Sequence, residues 1–238
     1  MSINSEQRRS IAAIFREYAN QTSGRLQSIE ISDLNINPFL IRLMSSRLGL
    51  VDSESIVKWA IAQRLERGYV TAFGNTLKKV AQVFSEATLE GVDVVTVRDG
   101  TRHHVHVMSG PTAMSKGASQ KLVQDIHALI AKNPGSNPVV GICYGDNNSL
   151  SAIMKREIAE NGKIPIVAGQ KFWAFISGYD ECAQEIYEIC RSVGQEHFSG
   201  STAHDTKSEE RQMERLQFDF ERIYGSQDPW PKLLKLNI

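Results

Sequence analysis

Asp93, His104 and His106 are the residues in this chain whose types and spacing best suit chemistry. Asp93 lies in Val92-Asp93-Val94-Val95-Thr96-Val97, and the two histidines lie in His103-His104-Val105-His106-Val107-Met108. Both stretches are β-rich, and alternation puts His104 and His106 on one strand face. With Asp93 they supply the residue types of a two-histidine, one-carboxylate metal site. A neutral imidazole can also act as a general base near neutral pH. Each residue has a plainer reading beside this one. A strand histidine can be hydrogen-bonded in a core, and an aspartate can face solvent. An aspartate between valines on a buried strand, by contrast, is costly without a partner.

Two lysines form a second group. Lys116 and Lys121 bracket a helix start that Ser115 or Ser119 can cap, and a helix N-terminus favours anions such as phosphate. The alternative is two solvated lysines. Asn147 and Asn148, in a segment that follows a strand, have side chains able to pair with adenine edges, or they form an ordinary turn. Phe172, Trp173 and Phe175 read as core.

The elements that must position these groups can be read from periodicity. Ile11, Ile14 and Phe15 predict an opening helix. Asp52 or Ser53 can cap a helix through Ile56, Val57, Ala60, Ile61 and Leu65, which Gly68 is expected to break. A further helix follows with Leu77, Val80, Ala81 and Phe84 on one face. The period then changes to two, and Asp99-Gly100 predicts a tight turn joining two strands into a hairpin. Ser109 to Gly117 reads as a loop into a helix through Leu122, Val123, Ile126, Leu129 and Ile130. Pro138 to Gly145 reads as a buried strand, followed by a short helix around Ile153 and Ile158. Ile164-Pro165-Ile166-Val167-Ala168 and Phe172 to Gly178 both read as strand-rich. Glu181 to Val193 predicts the last core helix. The polar segment after about Gly194 reads as a linker into a final helix. The expected fold class is α/β, with a mixed central sheet flanked by helices and helical additions at both ends. The expected divisions are a helical region over 1–50, an α/β core over 51–195, and a linker with a C-terminal helix over 196–238.

The chain has 238 residues with 27 basic and 27 acidic side chains. The zero balance excludes a strongly basic nucleic-acid binder, yet it hides an asymmetry. Residues 1–175 are mildly basic and residues 176–238 are acidic, so a DNA-binding surface on the first part is permitted. The cysteines Cys143, Cys182 and Cys190 have no metal-ligand spacing, which predicts free thiols in a reducing, cytoplasmic setting. No uninterrupted apolar run is long enough to span a bilayer, and no apolar signal region opens the chain, so no membrane partner is expected.

The stretch Glu90 to Gly117, EGVDVVTVRDGTRHHVHVMSGPTAMSKG, resembles the centre of the PD-(D/E)xK nuclease fold. More narrowly, it resembles type II restriction endonucleases whose second hairpin strand runs into a Ser-Gly-Pro loop, here Ser109-Gly110-Pro111 followed by Thr112. The upstream Thr71 to Ala81, TAFGNTLKKVA, is similar to the helix before that hairpin. The resemblance covers roughly residues 50–145.

It implies a sequence-specific endonuclease that hydrolyses phosphodiester bonds in double-stranded DNA, with Mg2+ or Mn2+ as cofactor and a homodimer as the working form. A metal would polarise the phosphate and activate a water. Asp93 fits the first acid of the motif. The second-acid position falls on His106 and the lysine position on Met108, a departure from the usual charge set. The resemblance therefore implies Asp93, His106 and Lys116 as catalytic residues. Asp93 and the Val107 carbonyl are the implied metal ligands. Ser109, Gly110, Lys116, Lys121 and Asn147 are the implied DNA contacts. The missing lysine has Lys116 or Lys121 as candidate replacements, and the missing acid has Glu54 or Glu66. Two alternatives stay open: a catalytically silent DNA-binding protein on the same fold, and a metal-dependent hydrolase using Asp93, His104 and His106.

Overall fold

A computed structural model describes residues 2–111, 114–198, 203–226 and 228–236; Thr112 of the loop motif and residues 199–202 of the expected linker lie outside the described residues. The elements run in the order α1 (Ser5–Thr22), α2 (Pro38–Leu48), α3 (Ser53–Gln82), β1 (Val94–Arg98), β2 (Thr101–Met108), α4 (Lys116–Lys132), β3 (Ser136–Ile142), α5 (Ala152–Met154), β4 (Ile166–Ala168), α6 (Gln170–Ser177), α7 (Cys182–Phe198), α8 (Ala203–Tyr224) and α9 (Trp230–Leu236). The helix begun by α5 widens to a π turn over Lys155–Asn161.

The four strands lie in chain order, with β1 antiparallel to β2 and both β2–β3 and β3–β4 parallel. This is the expected mixed sheet, and the chain is α/β with helices flanking it. The β1–β2 hairpin closes through Asp99 and Gly100, both at positive φ (52° and 73°). That geometry suits the two-residue turn matching the twist of the strands, and glycine reaches it without a Cβ penalty. Glu86 clamps the hairpin. Its Oε1 accepts from the Val97 N–H, the Thr96 hydroxyl and Arg98 Nη1, each at 3.0 Å.

The chain divides into two compact units that cut across the three expected segments. One joins Met1–Tyr18 to Ala72–Gln195, and the other joins Ala19–Thr71 to Glu196–Ile238. In the first, the sheet carries an apolar cluster on each face. Val105 and Val107 of β2 pack with Ile11, Phe15, Val80, Phe84 and Phe172. Val140 and Ile142 of β3 pack with Ile126, Met154 and Ile158 on the other face, where Met108 joins them. The second unit has its own core, which includes Ile41, Ile56, Leu216, Phe220 and Leu233.

Three expectations are corrected. Gly68 does not break the helix: α3 runs unbroken from Ser53 to Gln82. A single interior glycine costs about 1 kcal/mol relative to alanine, and burial of Ile56, Val57, Ala60 and Ile61 before it and Val80, Ala81 and Phe84 after it outweighs that. Phe172 to Ser177 is helix α6, not strand, because Phe172, Trp173 and Ile176 share a helical face that is buried. The polar segment after Gly194 is not a linker at its start, since α7 continues to Phe198. No helix among the described residues is long and apolar enough to cross a membrane.

Candidate functional site

The antiparallel register pairs Val94 with Val105. Carried one residue further, it sets Asp93 opposite His106, just before β1 begins. Asp93 Oδ2 accepts the Val107 backbone N–H at 2.7 Å, which stitches the mouth of the hairpin. The same oxygen lies 3.5 Å from His106 Nδ1 and 3.9 Å from Lys78 Nζ. The first distance is long for a hydrogen bond and the second is in ion-pair range. Lys78 comes from the last turns of α3, which are anchored by the burial of Val80, Ala81 and Phe84. The three side chains are semi-enclosed: 35% exposed for Lys78, 23% for Asp93 and 35% for His106.

Burial holds the His106 imidazole below the ordinary histidine range, and nearby Lys78 adds to this, while Asp93 and Asp125 pull the other way. This direction favours the neutral ring beside Asp93. Beside the cluster, burial pushes the Cys143 thiol up to about 12, with Lys78 and Asp93 acting as smaller, opposed influences. That thiol is inert as a nucleophile.

His104 shares the face of His106, as alternation predicts. Both line a cavity of about 270 Å³ between β2 and α4, together with Asp125, Leu122 and Ile126. His104 is buried, its Nδ1 has no hydrogen-bond partner, and burial lowers its pKa. The metal triad of Asp93, His104 and His106 does not form. Among the described residues, no three His, Cys, Asp or Glu side chains converge on a common point.

The remaining expected residues are placed as follows. Met108, at the lysine position, packs against the apolar cluster beneath α4. Ser109 is pressed against α3, where a Cβ on Gly74 would lie 2.9 Å from its hydroxyl. Gly110 is buried under the Tyr144 ring. A Cβ there would fall 2.2 Å from the ring, so only glycine allows this approach. Tyr144, 54% exposed, is the side chain that meets solvent at this point. Lys116 and Lys121 are exposed on α4, which Ser115 caps by accepting the Ala118 N–H at 3.2 Å. Neither lysine makes an ion pair with Asp93 among the described residues. Asn147 is exposed in a turn built on Asp146, whose Oδ1 accepts the N–H groups of Asn148 and Ser149. Glu54 and Glu66, the candidate replacement acids, fall in the other unit. Helix α3 does reach the pair, but with a lysine.

Sequence reasoning missed Lys78, Asp125 and Tyr144. The helix Thr71 to Ala81 was recognised as the one preceding the hairpin. Leu77-Lys78-Lys79-Val80, however, offers two adjacent lysines that periodicity does not rank. In the fold Lys78 turns to Asp93 while Lys79 pairs with Glu17 at 3.2 Å.

The residues present do not fit magnesium or manganese. These hard cations require several oxygen ligands, as a rule with more than one anionic group. Here Asp93 is the carboxylate at the hairpin mouth, and Asp125, which lines the cavity beside His106, forms no three-ligand group with Asp93 and His106 among the described residues. One of the Asp93 oxygens already accepts a backbone N–H, and an ammonium and an imidazole are its neighbours.

No curated protein matches the chain at a significant level. Residues 8–197 match the family model described as Type II restriction endonuclease EcoO109I. That match spans most of the chain, its hairpin and the helix before it, and the protein belongs to this family of type II restriction endonucleases.

Proposed function

We propose that the protein acts on a specific sequence of double-stranded DNA as an endonuclease, with its reaction centre at Asp93, His106 and Lys78. The observation that carries this reading is the opposition of Asp93 and His106 at the mouth of the hairpin, with Lys78 facing them. Hydrolysis forms a bond from a water oxygen to phosphorus and breaks the bond to the leaving ester oxygen. The neutral ring of His106 takes the proton of the attacking water. Asp93 lies beside its Nδ1 and favours the imidazolium that results. Lys78 faces the negative charge that builds on the phosphate. Exposed Lys116, Lys121, Asn147 and Tyr144, with Ser109 at the edge of the loop, hold the duplex around this centre. A homodimer would match the two-fold symmetry of a palindromic site.

The test is digestion of a phage genome with magnesium, with manganese or with EDTA, followed by electrophoresis. Discrete fragments that disappear in the His106→Ala protein support the reading. A second reading, a DNA-binding protein that does not cut, is favoured by Met108 at the position where the family resemblance expects lysine. It predicts retained fragments without cleavage in every buffer, and cleavage recovered by His106→Glu combined with Met108→Lys.

A further inference from the structure

Helix α4 and strand β2 leave a largely apolar space between them that the chain itself does not fill. On the sheet face turned to α4, β3 presents Val140 and Ile142, whereas β2 presents His104 and His106. Ile126 of α4 is buried there. Leu122 precedes it by one turn and Ile130 follows it by one turn on the same side of the helix, yet both are only half-buried, as is Leu129. The cavity that these side chains line has a volume of about 270 Å³. Its wall includes a polar atom without a partner: His104 is 5% exposed, and its Nδ1 makes no hydrogen bond. Buried polar groups in folded proteins are as a rule hydrogen-bonded, so this nitrogen marks a place for a ligand atom.

Lining and volume together define the occupant. An apolar cavity of about 150 Å³ takes a benzene ring, so this one has room for roughly ten non-hydrogen atoms. Leucine and isoleucine side chains from α4 form much of its wall, which suits an apolar ring and penalises any charge. Asp125, exposed on α4, lines the same space and repels an anion. The unpartnered Nδ1 donates or accepts according to the tautomer of His104. A hydroxyl does both, so it meets this nitrogen in either form.

We propose that this cavity binds a small uncharged aromatic alcohol, with its ring between α4 and β2 and its hydroxyl on His104 Nδ1. The occupant covers Leu122, Leu129 and Ile130 and rests against His106, which lines the same space. A molecule held there restricts the His106 ring and slows cleavage. The site itself stands apart from the DNA reading; only its effect on cleavage rests on the role given to His106 above.

The experiment titrates 2-naphthol into the full chain, with naphthalene as the matched ring that lacks the hydroxyl, and follows the methyl groups by NMR. The expected result is saturable binding of one molecule per chain, with shifts confined to the methyls of Leu122, Ile126, Leu129 and Ile130. The alcohol should bind roughly fivefold tighter than naphthalene, the effect of one neutral hydrogen bond. His104→Leu should bring the two probes to the same affinity. Leu122→Trp, which fills the space from a half-buried position, should abolish binding of both. Thermal melts of each variant exclude simple unfolding. No saturable binding, shifts elsewhere in the chain, equal affinity for the two probes in the wild type, or a preference that survives His104→Leu would each overturn the proposal. In the phage digestion, 2-naphthol should slow cleavage by the wild type and not by Leu122→Trp, and unchanged cleavage with the probe bound would overturn the link to His106. Absence of cleavage in every buffer would instead overturn the nuclease reading and that link with it, while the binding data still decide the site.

Discussion

At the residue scale, Asp93 carries two duties that substitution can separate. Its Oδ2 accepts the Val107 N–H at 2.7 Å, and it sits between an imidazole and an ammonium. Asparagine keeps an acceptor and removes the charge, whereas alanine removes both. Asp93→Ala is expected to cost about 1–3 kcal/mol, the price of leaving a semi-buried N–H unmet. Asp93→Asn should cost clearly less while losing cleavage to the same extent. Urea melts of both variants alongside the phage digestion measure the difference, and equal stability losses would show that the hydrogen bond contributes little. The cysteines make a second residue-scale case. Burial pushes Cys143 up to about 12 and Cys182 up to about 11. Thiolate is the reactive form, so both should resist iodoacetamide in the native protein at mildly alkaline pH and react fully in denaturant. Rapid native alkylation of Cys143 on a peptide map would contradict its burial beside the hairpin.

At the scale of elements, the hairpin and α3 are what bring the site together, and each can be probed away from the chemistry. Glu86 holds both the backbone and side chains of β1, and these contacts keep its carboxyl below the ordinary glutamate range, with the Val97 N–H the largest cause. A depressed folded-state pKa means that this stabilisation is complete above the ordinary glutamate range and is lost as pH falls through the lowered value. Glu86→Gln should therefore lower stability near neutral pH, and the gap to the wild type should close in acid. Melting temperatures over a pH series give the answer, and a gap that widened in acid would reverse the sign argued here. In α3, Gly68 lies mid-helix, and an added Cβ would meet the Arg25 guanidinium at 2.8 Å. That contact is with the far end of a flexible side chain. Gly68→Ala is thus expected to stabilise by roughly 0.5–1 kcal/mol from helix propensity, as read by denaturant midpoint. A destabilised variant would mean that the stacking of Arg25 over Tyr69, at 5.7 Å, cannot adjust.

At the scale of the whole molecule, two units each hold a core of their own. Phe220 is fully buried in the second, with Ile41, Ile56, Leu216 and Leu233 in the same cluster. Phe220→Ala is expected to cost about 3–5 kcal/mol, from lost transfer free energy and the cavity left behind. Hydrogen exchange should show the loss of protection first in α2, α8 and α9. Loss beginning instead in β1 and β2 would mean that the two cores do not open separately. The proposed reaction centre lies outside this second core, since Asp93, His106 and Lys78 all belong to the first unit.

What the sequence by itself determined was local. Alternation identified the hairpin and placed His104 and His106 on one face, and Asp99-Gly100 identified its turn, because these features arise between neighbours along the chain. The resemblance carried by Glu90 to Gly117 led to the correct family. Gly68 and the segment Phe172 to Ser177 were misread because both depend on burial: packing carried α3 through its glycine, and a buried helical face overrode β-rich composition. The partner of Asp93 was beyond sequence altogether. Lys78, Lys116 and Lys121 are equivalent as letters, and Glu54 and Glu66 lie on the same helix as Lys78. Only the tertiary structure decided which of them comes within 3.9 Å of the carboxylate, because that distance depends on where α3 packs against the sheet.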